Sequence, residues 1–319
     1  MQTKNIPETL VEAVRYFSNP QTAFDFLVSM RWPNGVVCPR CQTGDPHFIA
    51  SRNIWRCTGC KKQFSAKVGT LFEDSPIGLD LWLPCAWMLI NCKNGISSYE
   101  VARDLGVTQK TAWFMLHRLR LAMQDSGFGK FGGDVEADET FIGGRSRFMH
   151  HEKRERVIKT PGVWGKAAVM GLLERTTADK HSTVRVSVTK NIRKHALQAN
   201  IEQNVEPGSN IYTDASRSYQ GLEAKYIHGV IDHGVAYVRG KVHTNGLENF
   251  WSLLKRSIKG TYVSVEPFHL FRYLDEQAMR FNQRKDTDKG RFLTIMSGLF
   301  GKRLTYRALT GGNALPESC

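Results

Sequence analysis

The 319-residue chain has no run of about 18 apolar residues, the length that a membrane-spanning helix requires. Its longest apolar stretch, residues 79–90, falls short of that and carries Asp80 and Pro84. No membrane partner is therefore expected. The first residues lack the basic, then apolar, then small-residue succession of a secretory leader, so an intracellular, cytoplasmic setting is expected. Internal repeats and low-complexity tracts are missing as well. Acids are in short supply: 30 Asp and Glu stand against 44 Lys and Arg, a formal net charge of +14. An excess of that size points to a polyanionic partner, nucleic acid first. Cysteine is sparse and odd in number, at seven, and four of the seven fall between Cys38 and Cys60. Such crowding excludes a secreted disulfide framework and is the spacing of a metal site.

Five regions follow from the pattern of what is present. Residues 1–35 carry helical periodicity, residues 36–75 are Cys-bearing and strand-like, and residues 76–126 read as helices. In residues 134–285 short β-type runs alternate with helical ones, and residues 286–319 form a basic C-terminal tail. Gly127, Gly129, Gly132 and Gly133 mark residues 125–133 as the linker.

Cys38-Pro39-Arg40-Cys41 and Cys57-Thr58-Gly59-Cys60 are two Cys-x-x-Cys knuckles with fifteen residues between them. Each knuckle turns tightly enough to offer two thiolates, and together they predict a zinc ribbon holding structural Zn²⁺ through Cys38, Cys41, Cys57 and Cys60. The runs 48–50 and 53–56 read as hairpin arms between the knuckles. Around them Arg40, Arg52, Arg56, Lys61, Lys62 and Lys67 stand against one acid, Asp45. They make either phosphate contacts or an ordinary solvated surface. Cys85 and Cys92, on an apolar helix, are expected to be core thiols. Farther on, Ser97 with Glu100 makes a capping box, Gly106 a turn, and Thr108 a new N-cap. The second helix carries Trp113, Leu116, Leu119 and Met123 on one side, with Lys110, Arg118 and Arg120 elsewhere. This is a helix-turn-helix pattern, or else an ordinary helical hairpin. The first reading makes Lys110, Arg118 and Arg120 candidates for contact with double-stranded DNA.

Three segments carry acids. From Asp134 to Asp138 alternation places Asp134, Glu136 and Asp138 on one strand face, where a divalent cation would offset their burial. Asp214 ends the β-type run Ile211-Tyr212-Thr213, the end of a strand at which ligand sites gather; its other reading is a cap on the next helix. In His243-Thr244-Asn245-Gly246-Leu247-Glu248, the following helix buries Leu247, Trp251, Leu254 and Ile258. Glu248 and Lys255 share a face beside that stripe, with Asn245 flanking it. Taken alone, Glu248 and Lys255 also read as surface residues.

The order strand with Asp138, strand, strand, helix, strand ending in Asp214, late helix with Glu248 resembles the ribonuclease-H-like fold of polynucleotidyl transferases. The motifs Asp138-Glu139-Thr140-Phe141-Ile142-Gly143-Gly144, Tyr212-Thr213-Asp214 and His243-Thr244-Asn245-Gly246-Leu247-Glu248 are similar to those of DDE-type transposases of bacterial insertion sequences, in the family with an N-terminal zinc ribbon. The Cys knuckles and Gly95-Ile96-Ser97-Ser98 strengthen the likeness, which covers roughly residues 20–285. It implies a multidomain α+β and α/β chain: zinc ribbon, helix-turn-helix, and a ribonuclease-H-like mixed-sheet catalytic domain. It implies Asp138 and Asp214 as the first two catalytic acids, holding Mg²⁺ or Mn²⁺, with either Glu248 or Asn245 as the third ligand. The thirty-three residues between Asp214 and Glu248, with Lys255 seven beyond, favour Glu248. Lys255 then meets DNA near the cut, and His243 either assists the metal site or is structural. A basic segment with Arg145, Arg147, Lys153, Arg154, Arg156, Lys159 and Lys166 reads as a DNA-contacting loop or a solvated one. The activity implied is cutting of the terminal inverted repeats and joining of the 3′-OH to target DNA. Pairing of two ends implies a homodimer or higher on DNA, in the bacterial nucleoid. The rivals are a ribonuclease-H-like nuclease that does not join strands, and a DNA-binding regulator. A regulator has no need of the three acids together.

Overall fold

Two stretches of chain far apart in sequence build the first of two units. In the computed structural model that unit comprises Met1–Gln124 with Lys285–Cys319, and the second comprises Asp125–Arg284. The structure describes residues 6–124, 129–143, 151–152, 155, 166–189, 191–231 and 242–311. Among these, no helix is long and apolar enough to cross a membrane.

The first unit opens with helices Leu10–Phe17 and Pro20–Arg31. Thr9 and Glu12 form a capping box on the first, and Asn19 caps the second with Pro20 at its first position. Strands β1 (His47–Ile49), β2 (Ile54–Arg56) and β3 (Gln63–Ser65) form an antiparallel ribbon. Trp55 of β2 stacks on Phe24 and Phe64 at 5.6 and 5.8 Å between ring centres, which fastens the ribbon to the second helix. The helix Leu79–Asn91 buries residues on every side, so it runs through the core and lacks a polar face. Ser98–Leu105 and Gln109–Ala122 follow as the helix pair. Ser97 accepts the Glu100 amide and Glu100 the Ser97 amide. Gly106 then turns the chain at φ 65°, a left-handed conformation that costs little without a Cβ.

Two expectations need correction here. The basic tail is not an appendage: Asp288–Ser297 is a core helix of the first unit. Its Phe292 is fully buried against Phe17, Phe26 and Trp87, with ring centres 5.0–5.8 Å away. The stripe Phe292, Ile295, Met296, Leu299 already had helical spacing. Arg118 and Arg120, offered as DNA contacts, are 5% and 1% exposed. Arg118 donates to the carbonyls of Leu71, Glu73 and Leu304, backbone acceptors that fall outside regular hydrogen-bonded structure. Only Lys110 of that trio is exposed, its ammonium 4.8 Å from the Tyr306 ring. Lys67, from the ribbon's basic set, is likewise engaged by the carbonyls of Ser75 and Ile77.

In the second unit, five strands lie in the order β6-β5-β4-β7-β8. They are β4 (Asp134–Ile142), β5 (Ala167–Glu174), β6 (Thr183–Thr189), β7 (Asn210–Asp214) and β8 (Ile227–Ile231). The first three pair antiparallel; β7 joins β4, and β8 joins β7, in parallel. This mixed sheet has the strand arrangement of the ribonuclease-H-like fold. Strand alternation divides its two cores. Val135 and Ala137 face the Lys194–Asn204 helix, packing with Leu197, Ile201 and Ile211. Glu136 and Asp138 face the other way, toward Asn245–Ser257, whose Leu247, Phe250, Trp251 and Leu254 pack with Val169 and Leu173. Burying each of those large side chains stabilises the unit by about 1.5–3 kcal/mol.

The close seat of the returning segment is testable at Gly298. A Cβ there would lie 2.3 Å from the carbonyl oxygen of Ala122. Gly298→Ala is expected to destabilise the first unit by roughly 1–3 kcal/mol through overpacking. Chemical denaturation followed by tryptophan fluorescence reads this, and an unchanged midpoint would refute the contact.

Candidate active site

The four cysteines are placed by two matching turns. Cys38 donates its amide to Thr43 and Cys57 to Lys62, and each loop passes through a left-handed residue, Gln42 at φ 61° and Lys61 at φ 59°. All four sulfurs lie within 4.8 Å of one another, with Cys38–Cys60 at 3.8 Å and Cys41–Cys57 at 3.4 Å. A tetrahedron with Zn–S bonds near 2.3 Å has edges of about 3.8 Å, so the cage fits the ion. The Thr43 hydroxyl pulls the Cys41 thiol down to about 6, toward the thiolate that zinc takes. Four thiolates leave no open position, which makes this a structural site. Cys85, by contrast, is fully buried in an apolar helix and its thiol is pushed up to about 12, so it is an inert core residue; Cys92 is half-buried.

The acids of β4 meet different fates. Asp134 accepts from Asn210 and from the Tyr212 hydroxyl of β7. Glu136, 1% exposed, takes the Arg175 guanidinium on Oε1 at 2.8 Å and the Leu247 amide on Oε2 at 2.9 Å. Asp138 accepts from the Trp251 indole at 2.9 Å. Two of the three acids on that face are thus already paired within the protein, and only Asp138 opens onto a cleft. Glu139 and Thr140 of the strand line that cleft with Glu248, Trp251, Ser252 and Lys255 of the facing helix. Burial raises the Asp138 carboxyl above its usual range; the indole opposes this, and the Asp214 and Glu248 carboxylates reinforce it. A cation entering there would offset both the desolvation and the repulsion. Glu139 is pushed up to about 7, chiefly by burial. Asp214 ends β7 and uses Oδ1 to accept the Ser216 amide at 3.0 Å, so it closes a turn while lying close enough to act on Asp138.

Among the described residues no carboxylate cluster is drawn as tight as the cysteines. The cleft joins Asp138, Glu248 and Lys255; Asp214 is not among its lining residues and reaches Asp138 through its charge. Asn245 is exposed and does not line the cleft. His243 belongs elsewhere: its Nδ1 is 3.0 Å from Arg175 and 3.4 Å from Glu136. Of the expected basic loop, Arg145, Arg147, Lys153, Arg154, Arg156 and Lys159 lie outside the described residues, and Lys166 is exposed. Arg175 was missed in the sequence. The signal was there, since a glutamate on a core-facing strand position requires a cationic or amide partner.

The sequence matches the family model of the ISXO2-like transposase domain over residues 130–282, and that of the transposase zinc-ribbon domain over residues 18–63. Over 255 residues it is 28% identical to an uncharacterized protein in transposable element ISH50 of Halobacterium salinarum, covering 76% of this chain and 84% of that protein. Over 96 residues it is 32% identical to an uncharacterized transposase-like protein of Haemophilus influenzae, 30% of this chain and 77% of that protein. The chain belongs to the insertion-sequence transposases. The cysteine cage lies across the zinc-ribbon match, and the five-stranded sheet, Asp138, Asp214 and Glu248 all lie inside the transposase-domain match.

In this transposase the ribbon offers few buried residues of its own, so the metal carries much of its stability. Cys38→Ser or Cys57→Ser is expected to lose stoichiometric zinc and to expose Trp55. Atomic absorption gives the zinc content and proteolysis within residues 36–66 the unfolding; full zinc retention in both variants would exclude these thiols as ligands.

Proposed function

We propose that the protein binds the terminal inverted repeats of its element, cuts the DNA ends and joins the 3′-OH to target DNA. The observation that carries this is the cleft in which Asp138 and Glu248 meet with Lys255, under the charge of Asp214. Asp138, Asp214 and Glu248 would hold Mg²⁺, or Mn²⁺ in its place. Bound there, divalent cations supply Lewis acidity toward the attacking and leaving oxygens of a phosphodiester. The indole of Trp251 donates to Oδ2 of Asp138 and so helps to fix that carboxylate in the cleft lining. Lys255, two helical turns beyond Glu248, lines the same cleft and would meet a phosphate beside the acids. Its side chain takes no covalent part, and none is required for direct displacement at phosphorus.

Glu248 is the better third ligand because it lines the cleft and acts on Asp138, whereas Asn245 begins the helix outside the cleft. The helix pair Ser98–Leu105 and Gln109–Ala122 is the candidate reader of double-stranded DNA, with Lys110 exposed in the first turn of the second helix. Pairing two ends calls for at least a dimer on DNA. A cytoplasmic, nucleoid-associated location goes with that substrate. A nuclease that cuts without joining shares every feature of the cleft and is separated only by assay.

Labelled element ends test the reading. Asp138→Asn and Asp214→Asn should bind ends as wild type yet lose cleavage and joining. Glu248→Gln should be inactive with Mg²⁺, while Asn245→Ala retains measurable activity, down by about tenfold for one lost hydrogen bond. An active Glu248→Gln enzyme beside a dead Asn245→Ala enzyme would transfer the ligand role to Asn245. Cleavage without joining in the wild type would select the nuclease.

A further inference from the structure

Arg175 directly follows β5 and is not one of the candidate ligands, yet its guanidinium touches all three segments that carry them. Nε donates to Glu136 Oε1 at 2.8 Å, two residues before Asp138 on β4. Nη2 donates to the His243 carbonyl at 2.6 Å, just ahead of the helix that bears Glu248. Its face lies 4.2 Å from the centre of the Tyr212 ring, two residues before Asp214 on β7. The guanidinium side chain is 15% exposed and Glu136 2%, so the pair is shielded from competing water.

Glu136 passes this fixation to the helix. Its Oε2 accepts the Leu247 amide, in the first turn, where a helix has no acceptor of its own. Two positions along the same strand face, Asp138 accepts the Trp251 indole, four positions along the helix from Leu247. Two strand residues advance about 6.7 Å and four helical residues about 6 Å, so the two bonds form successive rungs between strand and helix. The neighbouring strand leaves room for this approach. Gly171 pairs with Asp138, and a Cβ there would lie 2.6 Å from Trp251 and 2.9 Å from Leu247.

We propose that Arg175 is a positioning residue for the carboxylate centre, setting Asp138, Asp214 and Glu248 in one geometry by tying β4, β7 and the Glu248 helix to a single planar group. This rests on the divalent-metal reading above. A lysine keeps the charge beside Glu136 but loses the fork and the flat face, so charge and geometry can be separated.

The test uses the full-length, zinc-loaded chain and Mn²⁺ alone, with free Mn²⁺ followed by electron paramagnetic resonance. Arg175→Lys should bind Mn²⁺ at the cleft about tenfold or more weakly than wild type, the scale of losing an outer support of a metal site. In the zinc-loaded protein without Mn²⁺, hydrogen exchange should show lost protection over residues 245–257, with β5 and β6 unchanged. Wild-type Mn²⁺ affinity in Arg175→Lys, or wild-type protection of that helix, overturns the proposal. Asp138→Asn is run alongside. If it binds Mn²⁺ as wild type does, the metal reading fails and takes this inference with it. If it loses Mn²⁺ while Arg175→Lys keeps it, the positioning role alone fails. Should Arg175→Lys not fold, Glu136→Gln with Arg175→Met removes both charges of the buried pair and should fold with the same Mn²⁺ defect. Retained affinity in that double variant also overturns the proposal. The wild type gives a reading without any variant: the Leu247 amide should exchange slowly for a first-turn group, and fast exchange contradicts the bond to Glu136.

Discussion

Three carboxylates on one face of β4 must be reconciled with a helix packed against that face, and the second unit is organised around the solution. A carboxylate cannot lie beneath an apolar helix without a partner of opposite charge or several donors. Asp134 finds its donors on β7, and Glu136 finds Arg175 and the first turn of the helix itself. Asp138 takes the Trp251 indole and the Glu139 backbone amide and otherwise looks into a cleft with Glu248. From Asp134 to Asp138, five residues of strand, the face therefore grades from paired to under-satisfied. The under-satisfied end is where a hard cation has most to gain, and Lys255 lines the cleft at that same end.

The satisfied end does the mechanical work. Glu136 meets both the helix N-terminus and the one guanidinium that also reaches His243 and Tyr212. A negative group at a helix N-terminus is favoured by the helix dipole as well as by the orphan amides. The same contact fixes which residues of the helix face the strand: Leu247 and Trp251 inward, Glu248 and Lys255 toward the cleft. Within β4, the paired Glu136 and the cleft-facing Asp138 are thus two outcomes of one alternation.

Much of this was legible in the sequence where a local rule applied. The Cys spacing gave the ribbon, Ser97 and Glu100 gave the cap, and period-two alternation placed Glu136 and Asp138 on a common face. The strand order around Asp138 and Asp214 was readable from the succession of β-type and helical runs. What was not legible depends on partners distant in sequence. Arg118 and Arg120 looked like exposed bases, because nothing local says that carbonyls of Leu71, Glu73 and Leu304 await Arg118. The returning segment looked like a tail because its partners, Phe17, Phe26 and Trp87, lie at the other end of the chain. Arg175 was overlooked for the same reason: an arginine just after an apolar strand is unremarkable until Glu136, His243 and Tyr212 are seen around it.

On the proposed function, the cleft between β4 and the Glu248 helix holds divalent metal. Crystals of the full-length chain grown with Mn²⁺ test it most directly, through the anomalous scattering of the ion. The expected result is a Mn²⁺ peak within coordination distance of Asp138 and Glu248, with Asp214 among its ligands and Asn245 outside them. Strong Mn²⁺ peaks elsewhere on the protein and none in the cleft would contradict the claim.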